Sequence, residues 1–220
     1  MHVTVSEQFV LLALDRSSGM FHKHLSGMLG FYLAASGLLE LLLSDTVQAD
    51  DNHQVILNRI QPASTGHPHL DFITDKLKKK KQPESIKHVI ISLYTWNSRT
   101  LRELIIESME ARGLLEKNQK NSLLIFSFTF WRSPGDIAEE LTGSLKTALL
   151  GTEPVNLEML SLAMLAAHAR LLQHYFSSEE LEYLKQRIAR LENTQNCAAI
   201  RLWHTQLKRA YLEASSSWSI

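Results

Sequence analysis

Apolar and polar positions alternate at helical spacing along most of the chain, and this pattern predicts a mainly α-helical fold. The stretch from Leu25 to Leu43 is apolar almost throughout, broken inside by Ser36 and Glu40. A helix that is hydrophobic all round belongs in the middle of a fold, so this segment is expected to be central. Ser98 to Arg112 is amphipathic: Leu101, Leu104, Ile105 and Ser108 share one face, and Gly113 stands where a left-handed cap closes a helix. Shorter periodic runs predict helices over Ser6–Leu14, Leu70–Lys81, Ile86–Tyr94 and Ala198–Leu212. A helix rich in Leu, Ala and Met is expected over Leu157–Phe176, and another between Pro134 and Gly151. Ser177-Ser178-Glu179-Glu180 has the form of a capping box, because the Ser177 hydroxyl and the Glu180 carboxylate each reach an orphan backbone N–H.

Strand periodicity occurs in one place. Between Ser122 and Arg132, Leu124, Phe126, Phe128 and Phe130 alternate with Ser127 and Thr129. With the polar run Glu116–Asn121 before it, the segment predicts a β-hairpin. Val47 to Ile60 reads as short strands or an extended arm, and Pro62 to Pro68 as loop. The expected architecture is one helical domain over residues 1–220: a central apolar helix, amphipathic helices around it, and a protruding hairpin.

Composition narrows the function. Lys+Arg and Asp+Glu both number 23, so net charge gives no reason to expect nucleic acid. The lone cysteine, Cys197, rules out a disulfide within the chain and reads as a buried structural thiol. The N-terminus lacks the basic n-region of a signal peptide. The longest apolar run falls short of the roughly 20 residues a spanning helix needs. A cytoplasmic protein is expected, with any membrane contact peripheral. No nucleophile elbow, phosphate loop, dinucleotide fingerprint or HExxH motif occurs, so neither an enzyme nor a cofactor is expected. The paired histidines His22/His24 and His67/His69, with Asp71, have no metal-ligand spacing.

Three features carry candidate chemistry, each with a plainer alternative. Lys76, Lys78, Lys79, Lys80 and Lys81 form a cationic run; it either draws the chain to an anionic leaflet, at about 1 kcal/mol per residue, or is a solvated helix end. Arg99 and Arg102 share a helix face and present two guanidinium forks suited to a phosphate; Glu103, four residues from Arg99, offers an ordinary ion pair instead. Phe126, Phe128 and Phe130 either belong to the core or project from the hairpin to insert into a bilayer or to pair with a second copy. A helix followed by a hairpin is also how a winged-helix DNA-binding unit reads, but Glu103, Glu107 and Glu110 oppose phosphate contact there.

Taken together, several segments resemble the Golgi phosphoprotein 3 family. They are Ser6–Leu14 with the Gly19 turn, Gly37–Leu43 with its Leu-x-Glu-Leu element, and the loop Thr65-Gly66-His67-Pro68-His69-Leu70-Asp71. Ala111-Arg112-Gly113-Leu114-Leu115 with its hairpin, and Ala166-Ala167-His168-Ala169, follow in the same order. The resemblance implies a non-enzymatic, peripheral membrane protein that binds phosphatidylinositol 4-phosphate in a basic surface pocket. Arg99 and Arg102 fall on two family arginines, with Lys78, Lys79, Lys80 and Lys81 as the electrostatic supplement. It also implies cytosolic tails of membrane proteins as partners; the hairpin aromatics, read from the residues themselves, add insertion or self-association. Two pocket positions depart from the family pattern: Ala34 stands where an arginine is expected, and no tryptophan lies near Leu25. A protein–protein adaptor using the same arginine face is the competing expectation.

Overall fold

The computed structural model describes residues 3–50, 52–57, 64–122, 126–193 and 197–216, with the side chains of 120–128 outside that description. The fold is mainly α-helical. Eight α-helices run in order among the described residues: α1 Val5–Ala13, α2 Leu29–Leu43, α3 Pro68–Lys78, α4 Ile86–Ala111, α5 Ile137–Leu150, α6 Leu157–His168, α7 Ser178–Glu192 and α8 Ala198–Ser216. Strands β1 Val47–Ala49, β2 Gln54–Leu57 and β3 Glu84–Ser85 form a small antiparallel sheet. Strands β4 Glu116–Ser122 and β5 Phe126–Arg132 form the hairpin.

Helix α2 is the hub. It packs against α1, α3, α4, α6 and α8, and thirteen of its 15 residues are buried. Ser36 survives in this setting because its hydroxyl donates to Ser6 Oγ at 2.9 Å and to the Leu33 carbonyl at 3.0 Å. The approach of α2 to α4 depends on a missing side chain: a Cβ on Gly30 would lie 2.4 Å from the Ser98 Cβ. On the other side of α2, the fully buried Trp203 of α8 donates its indole N–H to the Ala35 carbonyl at 3.1 Å.

Helix α1 is tied to the far end of α4 by an ion pair inside the fold. Thr4 and Glu7 make a capping box, and the same Glu7 carboxylate accepts from Arg112 Nη1 at 2.7 and 2.9 Å. Glu7 is wholly buried. Breaking such a pair leaves an uncompensated buried charge, at a cost of about 3–5 kcal/mol.

The structure redraws some expected boundaries. Ile86–Tyr94 and Ser98–Arg112 are one helix, α4, which runs through Asn97 and Ser98. These residues favour caps when alone, but Leu93, Tyr94 and Leu101 are buried on either side and carry the helix across. The expected helix from Leu25 begins at Leu29, after a short 3-10 turn over Lys23–Leu25. Helix α3 ends at Lys78, so Lys79 is its C-cap and Lys80 and Lys81 lie beyond it. Helix α6 ends at His168, where Arg170 takes a left-handed φ of 56°. Helix α8 runs on to Ser216, four residues past its expected end. The Ser177–Glu180 capping box is present as expected, Gly113 takes φ 69°, and Cys197 is buried.

The hairpin pairs Glu116 with Arg132 through Ser122 with Phe126. Its base is fixed to the turn after α1: the Trp131 N–H donates to the Gly19 carbonyl at 2.7 Å, and the Trp131 indole packs on Phe21 with centroids 5.5 Å apart. Gly19 has φ +66°, and a Cβ there would meet the Trp131 carbonyl oxygen at 2.6 Å. Only glycine fits that junction without strain.

Candidate functional site

Arg99 and Arg102 project from the middle of α4 into solvent. Arg99 is 86% exposed and its Nε donates to Glu103 Oε1 at 2.8 Å, so the local ion pair read as the plainer alternative is present. An exposed pair one helical turn apart contributes about 0.3–0.5 kcal/mol, little enough for a phosphate to displace. Arg102 has no ion-pair partner among the described residues.

The two departures from the family pattern are packed into the core. Ala34 and Leu25 are buried, at 0% and 1% exposure. Neither residue adds a cation or an aromatic ring to the arginine-bearing surface.

An exposed tryptophan stands next to the arginines instead. Trp96, three residues before Arg99 on α4, is 81% exposed, the most exposed of the large hydrophobic side chains described. It lines a shallow cleft of about 300 Å³ together with Lys80, Glu84, His88 and Thr95. The sequence pattern missed Trp96 because the helix was broken at Tyr94; read through, Trp96 and Arg99 have the i, i+3 spacing of neighbours.

The lysine run reaches this cleft through Lys80. Lys76, Lys78, Lys79, Lys80 and Lys81 are all exposed. Lys78 pairs with Asp75 at 3.7 Å, Lys80 with Glu84 at 2.9 Å, and Lys76 sits over the Phe72 ring at 5.1 Å. Of the hairpin aromatics, Phe130 is half-buried against Gly19. The side chains of Phe126 and Phe128 lie outside the described residues.

The histidines fall into separate settings. His22, His24 and His174 stack, with His22 and His174 3.8 Å apart and nearly parallel at 10°. Burial depresses the His22 and His174 pKa values, helped by repulsion of His22 from His174 and of His174 from His24. His69 is buried and pushed down to about 3 by desolvation. Among the described residues no group of three or more His, Cys, Asp or Glu is placed to hold a metal. Asp71, in contrast, closes the loop before α3: it accepts from Ser64 Oγ at 2.6 Å, from Thr65 N at 2.7 Å and from Thr65 Oγ1 at 2.8 Å. The Thr65–Asp71 motif is thus a structural latch. Glu40, of the Leu-x-Glu-Leu element, borders a larger cleft near the start of α1, where burial pushes its carboxyl up to about 8.

A helical domain with a buried central helix, a hairpin rooted beside α1, and a cationic face on α3 and α4 defines the class. Within that class the family is specific. The sequence profile of Golgi phosphoprotein 3 (GPP34) matches residues 5–207, nearly the whole chain, and the protein belongs to that family. Compared one by one with curated protein sequences, the chain matches none. Among the described residues no helix is long and apolar enough to cross a membrane.

Proposed function

We propose that this protein attaches peripherally to membranes by binding an anionic phosphoinositide headgroup, phosphatidylinositol 4-phosphate in the family reading. Membership of the Golgi phosphoprotein 3 family supports this. The observation that carries it to particular residues is the pair of exposed guanidinium groups, Arg99 and Arg102, side by side on α4. Their paired donors suit a phosphate monoester. Lys78, Lys79, Lys80 and Lys81 supply long-range attraction to the leaflet. The hairpin, with Phe126, Phe128 and Phe130, is the element for insertion or for contact with a second copy. Cytosolic tails of membrane proteins are the partners this reading adds, and no catalytic step is part of it.

Flotation with liposomes containing phosphatidylinositol 4-phosphate, phosphatidylserine or neither tests the reading. Binding that requires the 4-phosphate and is lost in Arg99→Ala/Arg102→Ala is the expected result. Absence of binding to any of the three sinks it and moves the arginine face to an acidic protein partner.

A further inference from the structure

We infer that Trp96 is an interfacial anchor that docks, together with Arg99, Arg102 and the lysine run, on the headgroup layer of an anionic bilayer. The inference rests on the lipid reading above and specifies how the membrane is engaged. Indole at 81% exposure leaves most of a large apolar ring in water. Trp prefers the membrane–water boundary, where the ring meets acyl chain and the N–H stays wet.

Charge identifies the occupant. From Lys76 to Arg102 the sequence has eight Lys or Arg and one acidic residue, Glu84, within a chain whose charges balance. Some of these cations have neighbours: Lys87 pairs with Glu213 at 2.8 Å, Lys78 with Asp75 and Arg99 with Glu103. Lys76, Lys79, Lys81 and Arg102 have no ion-pair partner among the described residues. An exposed aromatic ring with Lys80 across its cleft and Arg99 one turn along the helix fits an anionic lipid surface. A purely acidic soluble partner would use the cations and leave the ring without a role.

The ring also bears on the family pocket. No tryptophan lies near Leu25. Trp96 places an aromatic about 4.5 Å along the helix axis from Arg99, given 1.5 Å rise per residue. Both side chains stand on an open face. Headgroup contact at such a face is shallow, and the bilayer itself supplies part of the affinity. The protein should therefore bind phosphoinositide in a vesicle far better than the same headgroup free in solution.

The test uses the full chain with vesicles of phosphatidylcholine alone, with phosphatidylserine, or with phosphatidylinositol 4-phosphate. Sedimentation gives the partition coefficient, and brominated acyl chains quench any indole at the interface. Trp96→Ala is expected to weaken partitioning into both anionic vesicles by roughly tenfold, from the apolar area the ring buries. Trp96→Phe is expected to recover part of that loss and to reduce bromine quenching below the wild-type level, the other three tryptophans remaining, with the thermal midpoint of both variants unchanged. Wild-type partitioning that Trp96→Ala leaves intact while Arg99→Ala/Arg102→Ala reduces it overturns the anchor and keeps the headgroup reading. The reverse, loss in Trp96→Ala and none in the arginine variant, keeps the anchor and overturns the headgroup assignment. Failure of the wild type to bind either anionic vesicle overturns both.

Discussion

Helix α4 and its C-cap carry two Arg–Glu pairs in opposite circumstances. At the C-cap, Arg112 grips the wholly buried Glu7 with both carboxylate oxygens in reach, at 2.7 and 2.9 Å. Roughly two and a half to three and a half turns earlier, Arg99 meets Glu103 at 2.8 Å with 86% of its side chain in water. The lengths are nearly equal and the consequences are not. A buried pair is costly to break because its partner is stranded without solvent. An exposed pair exchanges freely with water, salt or a ligand phosphate. One arginine is committed to the fold, and the other is held in place by the helix but left available.

The largest expected effect breaks the committed pair. Glu7→Ala, or Arg112→Ala, is expected to lower unfolding free energy by about 3–5 kcal/mol, while Arg99→Ala leaves the denaturant midpoint where it is. Equal midpoints for all three would remove the distinction. A smaller loss, about 1–3 kcal/mol, is expected for Gly19→Ala: its φ of +66° and the Trp131 carbonyl 2.6 Å from the new Cβ strain the hairpin base. Hydrogen exchange at the Trp131 amide should rise in that variant, and unchanged protection would contradict the account of the junction.

Proton linkage separates buried from exposed groups in another way. Glu40 is raised to about 8 by burial, so the folded chain holds a proton that the unfolded chain has released above about 4.5. Stability contributed by protonated Glu40 is therefore lost as pH rises between those values. His69, depressed to about 3, and His168, depressed to about 4, act in the opposite sense. Both are neutral when folded and gain a proton on unfolding below 6.5, so stability falls as pH drops through that range. Chemical denaturation across pH should show a maximum near 6.5. Glu40→Gln should flatten the decline on the alkaline side and steepen the acid-side decline between about 4.5 and 6.5, where Glu40 offsets the histidines; an alkaline decline that persists in that variant assigns it to another group.

Much of this division was legible in the residues. The apolar run from Leu25 to Leu43 marked the hub because little else accommodates so uniform a surface, and the Phe126–Phe130 alternation marked a strand. Arg99 and Arg102 were recoverable from helical spacing. The Glu7–Arg112 pair was not, since its members lie 105 positions apart and neither local periodicity nor capping chemistry reports a tertiary partner. Trp96 fell in the gap between the helices expected over Ile86–Tyr94 and Ser98–Arg112, a gap that burial of Leu93 and Leu101 closes. Packing decided both, and packing is a property of the assembled helices.

The central claim is that the exposed end of this comparison serves a lipid phosphate. It is tested most directly by the ratio of dissociation constants for vesicles of phosphatidylserine and of phosphatidylinositol 4-phosphate at matched surface charge, in the wild type and in Arg99→Ala/Arg102→Ala. A wild-type preference for the 4-phosphate that disappears in the variant, with an unchanged unfolding midpoint, is the result the account predicts. The same ratio in both proteins would contradict it.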